Sequence, residues 1–278
     1  MSEATKNLPV AVIQPQRRWL NFELKEIWQY REMVYYLTLR DIQIRYKQTA
    51  IGVVWAVLQP VITTVIFTII FSGLARFESG DTPYPLFALS GLLIWLYVNN
   101  SVNQASMGLI TNIPLVTKVY IPRVIVPISM IFSCLLDMLI GAVILIGMAI
   151  YYQVPFTPQI FLAPFFILMA IFLSAGVGIL FGGINVLFRD VKHALPFMLQ
   201  IWMFLSPVFY GPEMLTEKWR MVLRFNPMYG ILQGFRASLL GGQYDWPAIG
   251  YAVIFIAIVF TGGFIIFKRL EDKFADVI

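Results

Sequence analysis

An apolar stretch of more than 20 residues without a charged side chain begins at about Gly52, and it restricts the fold of this chain more than any other feature. About 20 helical residues cover the roughly 30 Å hydrocarbon core of a bilayer, so the stretch predicts a transmembrane helix. Arg40, Arg45 and Lys47 precede it. Positive charges beside a span indicate the end that stays in the cytoplasm.

Composition extends this interpretation to the whole chain of 278 residues. Charged residues make up 13% of it and hydrophobic residues 59%, whereas soluble proteins carry about 25% charge. We therefore predict a polytopic membrane protein. We attribute the net charge of +5 to the Lys and Arg residues that set membrane topology, so no nucleic-acid partner is expected. One cysteine and one histidine exclude an internal disulfide and a Cys/His metal cluster, and no metal site is predicted.

The hydropathy pattern predicts an all-α fold with six transmembrane helices per protomer. The predicted spans are 53–74, 84–107, 124–152, 160–187, 194–210 and 247–267. Pro60 is expected to kink the first span, because proline removes one backbone hydrogen bond. Four glycines in the fourth span predict a small-residue face for close helix packing. They are Gly176, Gly178, Gly182 and Gly183.

The segment before the first span divides into two parts. Residues 1–20 are predicted to be a flexible N-terminus, and residues 21–50 an amphipathic helix at the cytoplasmic membrane interface. Aromatic and aliphatic residues recur there at helical spacing, at Trp28, Tyr35, Leu39, Ile42 and Tyr46. The alternative is a cytoplasmic helix docked on a partner. Residues 51–278 are predicted to form the transmembrane domain.

Charge counting predicts that both termini are cytoplasmic. Of the 20 Lys and Arg residues, 15 fall in the N-terminal segment, the second and fourth loops and the tail. The other 5 fall on the opposite side. The sequence has no internal repeat, which disfavours a transporter built from inverted repeats.

Two short helices are predicted between spans 5 and 6. Asn226-Pro227 is a helix start, because Asn caps free N–H groups and Pro suits the first turn. Gly241-Gly242 is its end. This helix of about 14 residues is too short to cross a bilayer, and residues 213–225 form a second, charged candidate. The pair is predicted to be a re-entrant hairpin, either over the outer mouth of a pathway or lying on the membrane surface.

Asp137 is the only acidic residue deep in a predicted span. An acid there is a functional candidate, because a charge in the membrane is costly. We interpret Asp137 as a hydrogen-bonded or protonated residue that fixes helix packing. With no basic or histidine partner expected in the membrane, it suits a proton relay poorly.

Aromatic residues make up 15% of the chain. Each aromatic residue taken alone is expected to be a membrane anchor. Taken together, these residues are candidates for a sugar-compatible pathway or gate, because pyranose faces stack on aromatic rings. The candidates in the spans are Trp55, Trp95, Trp202, Phe209 and Tyr210.

The chain contains no Gly-Lys pair, so it has no P-loop. A single histidine makes a Ser/His/Asp site untenable. We therefore predict a non-enzymatic protein without its own nucleotide, cofactor or catalytic site.

Four segments, in this order and with this span spacing, resemble the ABC-2 type permeases of polysaccharide export, the O-antigen, capsule and teichoic-acid group. They are LRDIQIRYKQTAIGVVWAVLQP, KVYIPR (Lys118–Arg123), NVLFRDVKH (Asn185–His193) and FNPMYGILQGFR (Phe225–Arg236). The resemblance covers the chain from about Val34. It adds Tyr229, Phe235 and Arg236 of the outer region to the pathway candidates.

The resemblance implies a homodimer in the cytoplasmic (inner) membrane that pairs with two copies of a separate ATPase subunit, which would use ATP and Mg. The implied substrate is a polysaccharide on an undecaprenyl pyrophosphate or phosphate lipid. ATPase contact is expected from the interface helix and two loops, and the coupling candidates are Lys118, Tyr120, Arg123, Arg189, Asp190 and Lys192. Arg189 and Asp190 are expected to pair. Arg40, Arg45 and Lys47 are candidate contacts for the lipid pyrophosphate, because Arg suits charge-assisted bonds to phosphate.

Three alternatives remain at this stage. An ABC-2 exporter of a smaller lipid or drug shares the six-span plan and the missing ATPase. An ion-coupled secondary transporter needs several intramembrane charges. A membrane-embedded transferase needs clustered acids or a histidine, and Glu213, Glu217 and Asp245 are scattered.

Overall fold

A computed structural model describes residues 28–47, 52, 54–74, 82–118, 121–155 and 157–277, and within these the fold is helical with no strand. The helices are α1 Arg31–Lys47, α2 Val54–Phe67, α3 Tyr84–Thr111, α4 Ile113–Lys118, α5 Ile125–Ser133, α6 Leu135–Tyr151, α7 Ala163–Leu187, α8 Val191–Phe204, α9 Glu217–Leu223, α10 Pro227–Leu240 and α11 Trp246–Val277. The predicted flexible N-terminus, residues 1–20, lies outside the described residues. So do residues 21–27 and 48–50 of the predicted interface helix and residues 75–81 after the first span.

Five helical segments of the described chain are long and apolar enough to cross a membrane. They are Val54–Phe71, Tyr84–Thr111, Ile125–Tyr151, Pro158–Leu187 and Trp246–Phe274. The all-α polytopic fold is therefore confirmed. The fifth predicted span, 194–210, is not confirmed, because α8 has 14 residues and the chain turns after Phe204. Pro207 follows closely, and the residue before a proline disfavours helical backbone.

The centre of the bundle is α3, which packs against α2, α5, α6 and α7. Its buried side is almost wholly apolar, with Leu86, Ile94, Val98 and Leu109 fully enclosed. The helix α7 lies between α3 and α11. Burial of these apolar faces is the main favourable term that holds the described bundle together.

The predicted close packing of α7 is confirmed. A methyl group added at Gly176 would lie 2.8 Å from the backbone of Phe260 on α11, and one at Gly182 would lie 3.2 Å from the Ala105 carbonyl on α3. Glycine lets the backbones approach to this distance because it has no Cβ. These contacts set the spacing of the three central helices.

The first span changes helix type beyond Phe67, and the kink expected at Pro60 stays a prediction. Pro60 lies inside α2, and the helix continues beyond Phe67 as a π-helical segment, Thr68–Leu74. Gly52, before α2, has a φ of +52°, a conformation that favours glycine. The third span divides at Cys134 into α5 and α6.

Contacts between helix ends define two ends of the bundle. At one end the Asn185 side chain donates to the Ser106 carbonyl at 2.9 Å, and Arg123 donates to the Glu271 carbonyl at 2.7 Å. We call this the basic end, which comprises residues 112–118, 121–124 and 188–190 and the C-terminal part of α11. At the other end the Tyr84 hydroxyl donates to the Phe209 carbonyl at 2.8 Å. This is the hairpin end, which carries α9 and α10.

The predicted outer helix is confirmed at both boundaries. The Asn226 side chain accepts a hydrogen bond from the Met228 N–H, α10 begins at Pro227 and ends at Leu240, and Gly241 has a φ of +77°. The charged candidate before it forms a short 3-10 turn, Pro212–Met214, and α9.

Candidate functional site

A network of polar side chains joins α1 to the membrane-spanning helices. Arg45 of α1 forms an ion pair with Asp137 of α6 and also donates to Gln104 of α3 and to the Ser133 Oγ at 3.0 Å. The Tyr46 hydroxyl donates to the second carboxylate oxygen of Asp137. The Arg45 and Asp137 side chains are each 25% exposed.

The expectation that Asp137 has no basic partner is therefore wrong. In the sequence Arg45 stands before the first span and is counted as a loop charge. In the structure α1 packs along α5, and Arg45 therefore lies at the middle of the bundle and not in a loop. The hydrogen bonds from Arg45 and Tyr46 fit the interpretation of Asp137 as a residue that fixes helix packing.

Two contacts show the direction in which α1 enters the bundle. Arg40 donates to the Asn112 side chain at 2.7 Å, and Arg45 donates to Gln104, eight residues earlier on α3. At 1.5 Å per residue these steps are about 7.5 Å along α1 and about 12 Å along α3. The second half of α1 therefore runs antiparallel to α3, while α1 itself packs along α5, with Leu37 and Asp41 buried. Tyr35, from the predicted apolar stripe, is 60% exposed.

The three residues predicted to contact the lipid phosphate differ in the side-chain partners that they already have. Arg40 is bonded to Asp41 as well as to Asn112, and Arg45 is held by Asp137. Lys47 is exposed and forms no ion pair within the described part of the chain. Among the three, the Lys47 ammonium group is the most available to an anion.

A cavity of about 290 Å³ opens beside the Arg45–Asp137 pair. Its lining is mixed, with polar side chains Gln59, Asn100 and Gln104, aromatic side chains Trp55 and Tyr97, and apolar residues of α2, α3 and α6. Because the two charges neutralise each other, the lining suits water or an uncharged polar group better than an ion.

Most of the predicted coupling residues are exposed at the basic end. Lys118, Arg189, Asp190 and Lys192 are all exposed. Neither Arg189 nor Asp190 forms an ion pair within the described residues, so their predicted pair is absent. Tyr120 lies outside the described residues.

Arg123 is placed differently from the other coupling candidates. Its guanidinium donates to the Glu271 carbonyl and lies 5.6 Å from the centre of the Phe274 ring. A cation is favoured near the C-terminal end of a helix, where carbonyl groups point outward. Arg123 therefore fastens the second loop to α11.

The predicted pathway residues separate into buried and accessible groups. Five are buried within the protomer, namely Trp95, Phe209, Tyr229, Phe235 and Arg236. Trp55 is 56% exposed, and Trp202 and Tyr210 are partly exposed. Trp202 and Tyr210 line a second cavity of about 410 Å³ between α8, α9, α10 and α11. Of the predicted pathway residues, Trp55, Trp202 and Tyr210 are therefore the ones that are accessible in this conformation.

Arg236 holds the turn after α8 in place. It donates to the Pro207 carbonyl at 2.7 Å and to the Val208 carbonyl at 2.5 Å, and it lies 3.7 Å from the centre of the Phe87 ring. Hydrogen bonds to these carbonyl groups compensate for burying its charge. This arrangement makes Arg236 a fastening point between α10, α3 and residues 207–208.

Residues of the hairpin end are tied together by two further polar contacts. Asp245 accepts from Arg224 at 2.9 Å and from the Ala248 N–H at 3.2 Å, so it also caps α11. The hydrogen bond from Arg224 to this carboxylate raises the pKa of the guanidinium. The turn before α11 is therefore tied to the end of α9 by an ion pair.

Sequence reasoning missed the Arg45–Asp137 pair and the multiple bonds of Asn226. A signal for the pair existed, because a single intramembrane acid requires a partner and Arg45 is close to the first span. No sequence signal identifies Trp202 as a partner of Asn226, since the two are brought together only by the turn after α8.

Helices of membrane length around a polar cavity, with charged loops at one end, define a polytopic α-helical membrane protein. Residues 32–240 match the family described as ABC-2 type transporter. Because this match covers most of the chain, the protein belongs to the ABC-2 type transporter family.

Similar proteins align along nearly the whole chain. The O-antigen export system permease protein RfbA of Klebsiella pneumoniae is 24% identical over 89% of this chain and 95% of its own. Its counterpart in Myxococcus xanthus is 25% identical over 92% and 98%. The polysialic acid transport protein KpsM of Escherichia coli is 23% identical over 85% and 92%.

Proposed function

We propose that this chain is the permease subunit of an ABC transporter that exports a lipid-linked polysaccharide across the cytoplasmic membrane. The observation that carries the proposal is the alignment with O-antigen and polysialic acid export proteins over almost the full length of both partners. In this proposal ATP and Mg are used by a separate ATPase subunit, present in two copies.

The basic end would face the cytoplasm and the ATPase. Lys118 and Arg189 support this assignment, because Lys118 is exposed between the membrane-length helices Tyr84–Thr111 and Ile125–Tyr151, and Arg189 is exposed directly after Pro158–Leu187. Positive charge concentrates on the cytoplasmic side of membrane proteins. Both termini would then lie in the cytoplasm, since α11 also ends at the basic end.

A homodimer would form the export path between its protomers. The first span supports this, because 11% of it is buried in the protomer, against 28% to 72% for the other four. The face of α8 is likewise open, with Phe197 64% exposed. Closure of the ATPase subunits would part α2 and α8 of the two copies, and Trp55, Trp202 and Tyr210 would then line the path.

The lipid phosphate of the substrate would enter at the basic end beside Arg40 of α1. Lys47, which is exposed and lies about two turns further along the same helix, is the leading contact. Arg45 is held by Asp137, and this pairing also disfavours an ion-coupled carrier. Asp137 is the acid of the described chain that lies in the middle of a membrane-length helix, and its pair with Arg45 makes it a poor site for a coupling proton.

The test is ATP hydrolysis and glycan export in proteoliposomes. The permease alone, the ATPase subunit alone and their complex are compared, with and without undecaprenyl-pyrophosphate-linked glycan extracted from the source cells. We expect export only by the complex with ATP. Lys118→Ala and Arg189→Ala should lower export at least about fivefold by weakening contact with the ATPase.

Lys218→Ala is the matched control, because Lys218 is exposed on α9 at the hairpin end. It should leave export unchanged. Glycan release without ATP, or a purified permease that binds no ATPase subunit, would overturn the proposed function.

A further inference from the structure

The helix α1 is fastened to the membrane-spanning bundle at three levels. Near its middle Thr38 donates to the Ser129 carbonyl of α5 at 3.3 Å, and Arg40 bonds to Asn112 at the end of α3. Further along, Arg45 reaches Asp137. The contacts with α3 and α6 are made by side chains, so they can be removed one at a time by substitution.

The Arg45 contact differs from the other two in strength and in depth. It is the only ion pair between α1 and another helix within the described residues. It lies about 12 Å along α3 from Asn112, toward the middle of the bundle. Charge attraction is stronger where less water is present, and each charge alone would be costly there.

The geometry of the guanidinium adds a directional restraint. One nitrogen of Arg45 donates to Asp137, and the other donates to Gln104 and Ser133. A planar fork that binds three helices at once resists rotation as well as separation. Tyr46 donates to the same carboxylate, so two successive residues of α1 hold Asp137.

The chain leads from α1 into α2 within a few residues, and a displaced α1 therefore pulls α2 directly. Packing along α5 and the Arg40–Asn112 bond already connect α1 to the basic end of the bundle. The Arg45 contact adds a connection about 12 Å further along α3, because it joins α1 to Asp137 of α6 and to Gln104 of α3.

We propose that Arg45 and Asp137 are positioning residues that form a rigid joint, through which movement of α1 is passed to α3 and α6. This proposal rests on the proposed function, in which an ATPase subunit moves the basic end. The joint keeps α1 and α6 together throughout the transport cycle, and export per ATP hydrolysed depends on it.

The first experiment measures export and ATP hydrolysis by the full complex in proteoliposomes for Arg45→Gln, Asp137→Asn, the double variant and the exchanged pair Arg45→Asp/Asp137→Arg. For each single variant we expect export per ATP to fall about tenfold. The double variant should be no worse than either single one, and the exchanged pair should recover at least about threefold.

Glu217→Gln is the matched control, because Glu217 is exposed on α9 at the hairpin end and makes no ion pair in the described chain. Its export per ATP should equal that of the unsubstituted protein. Arg45→Lys keeps the charge but loses the planar fork. It should lower export per ATP about threefold, and it remains informative if Arg45→Gln does not assemble with the ATPase.

A second experiment needs no substrate. Spin labels at Tyr36 of α1 and Tyr151 of α6, both largely exposed, report the distance between the two helices in the complex. A rigid joint predicts one narrow distance that is the same with and without trapped nucleotide. Asp137→Asn should broaden it. Cys134 is buried, and a sample with no introduced cysteine checks that it takes no label.

Several outcomes would overturn the joint. They are single variants that lower export and hydrolysis in equal proportion, losses that multiply in the double variant, or an α1–α6 distance that changes with nucleotide in the unsubstituted protein. If the unsubstituted complex exports no glycan, the proposed function fails, while the distance measurement still decides the joint.

Discussion

Asn226 makes more contacts than its position as a helix cap requires. Its Oδ1 accepts from the Met228 N–H and from the Trp202 indole, both at 3.0 Å. Its Nδ2 donates to the Leu205 carbonyl and the Ser206 hydroxyl, also at 3.0 Å. A single amide therefore caps α10 and ties it to the turn after α8.

We predict that Asn226→Ala lowers the free energy of unfolding by about 2–3 kcal/mol, because a lost cap costs about 1 kcal/mol and each lost hydrogen bond adds about 0.5–1.5 kcal/mol. Thermal unfolding of the purified permease in detergent measures it. Asn226→Asp keeps both acceptor contacts and should lose less.

The comparison variant is Gln243→Ala, an exposed amide after α10. It should unfold at the same temperature as the unsubstituted protein. An equal loss from Asn226→Asp and Asn226→Ala would show that the cap and the Trp202 contact contribute nothing.

At the scale of elements, the spacing of α3, α7 and α11 depends on glycine. Gly176 faces the Phe260 backbone, which cannot turn aside as a side chain can. Gly147, on α6, has no atom within 4 Å of the position where a methyl group would lie. The two glycines are therefore a matched pair, one closely packed and one open.

Gly176→Ala should destabilise the protein by about 1–3 kcal/mol, because the added methyl group forces α7 and α11 apart. Gly147→Ala should be neutral or stabilise by up to about 1 kcal/mol, because alanine favours helix. Thermal unfolding in detergent measures both. Similar unfolding temperatures for the two variants would contradict the close α7–α11 contact.

At the scale of the whole molecule, α2 and α8 are two helices that the protomer leaves mostly open, with two buried residues each. Ile69, which continues α2, is 60% exposed, and Phe197 of α8 is 64% exposed. On α11, Ile254 is exposed to a similar degree, 59%. Exposure alone does not separate a dimer contact from a lipid contact, but cross-linking does.

We predict that Ile69→Cys and Phe197→Cys form disulfides between two copies in membranes treated with an oxidant, because the proposed dimer places α2 and α8 at its interface. Ile254→Cys on α11 should stay uncross-linked. Gel electrophoresis without reductant reads the result. Equal cross-linking at all three positions, or at Ile254 alone, would place the interface elsewhere.

Local features of the sequence determined the helices of this protein. The uncharged stretch after Gly52 predicted the first span, Asn226-Pro227 and Gly241 predicted both ends of α10, and the glycines of α7 predicted a close-packed face. Each of these follows from one residue type acting on its own backbone or on its immediate neighbours.

Tertiary structure alone decided which distant residues meet. Arg45 and Asp137 are 92 positions apart, and only the packing of α1 along α5 brings them together. The burial of Phe209 and Arg236 depends likewise on the turn after α8, which shortened the fifth predicted span. Hydropathy is a sum over neighbouring residues, so it fixes which segments enter the membrane. Partners in space depend on how those segments pack, and a sum over neighbours carries no information about that.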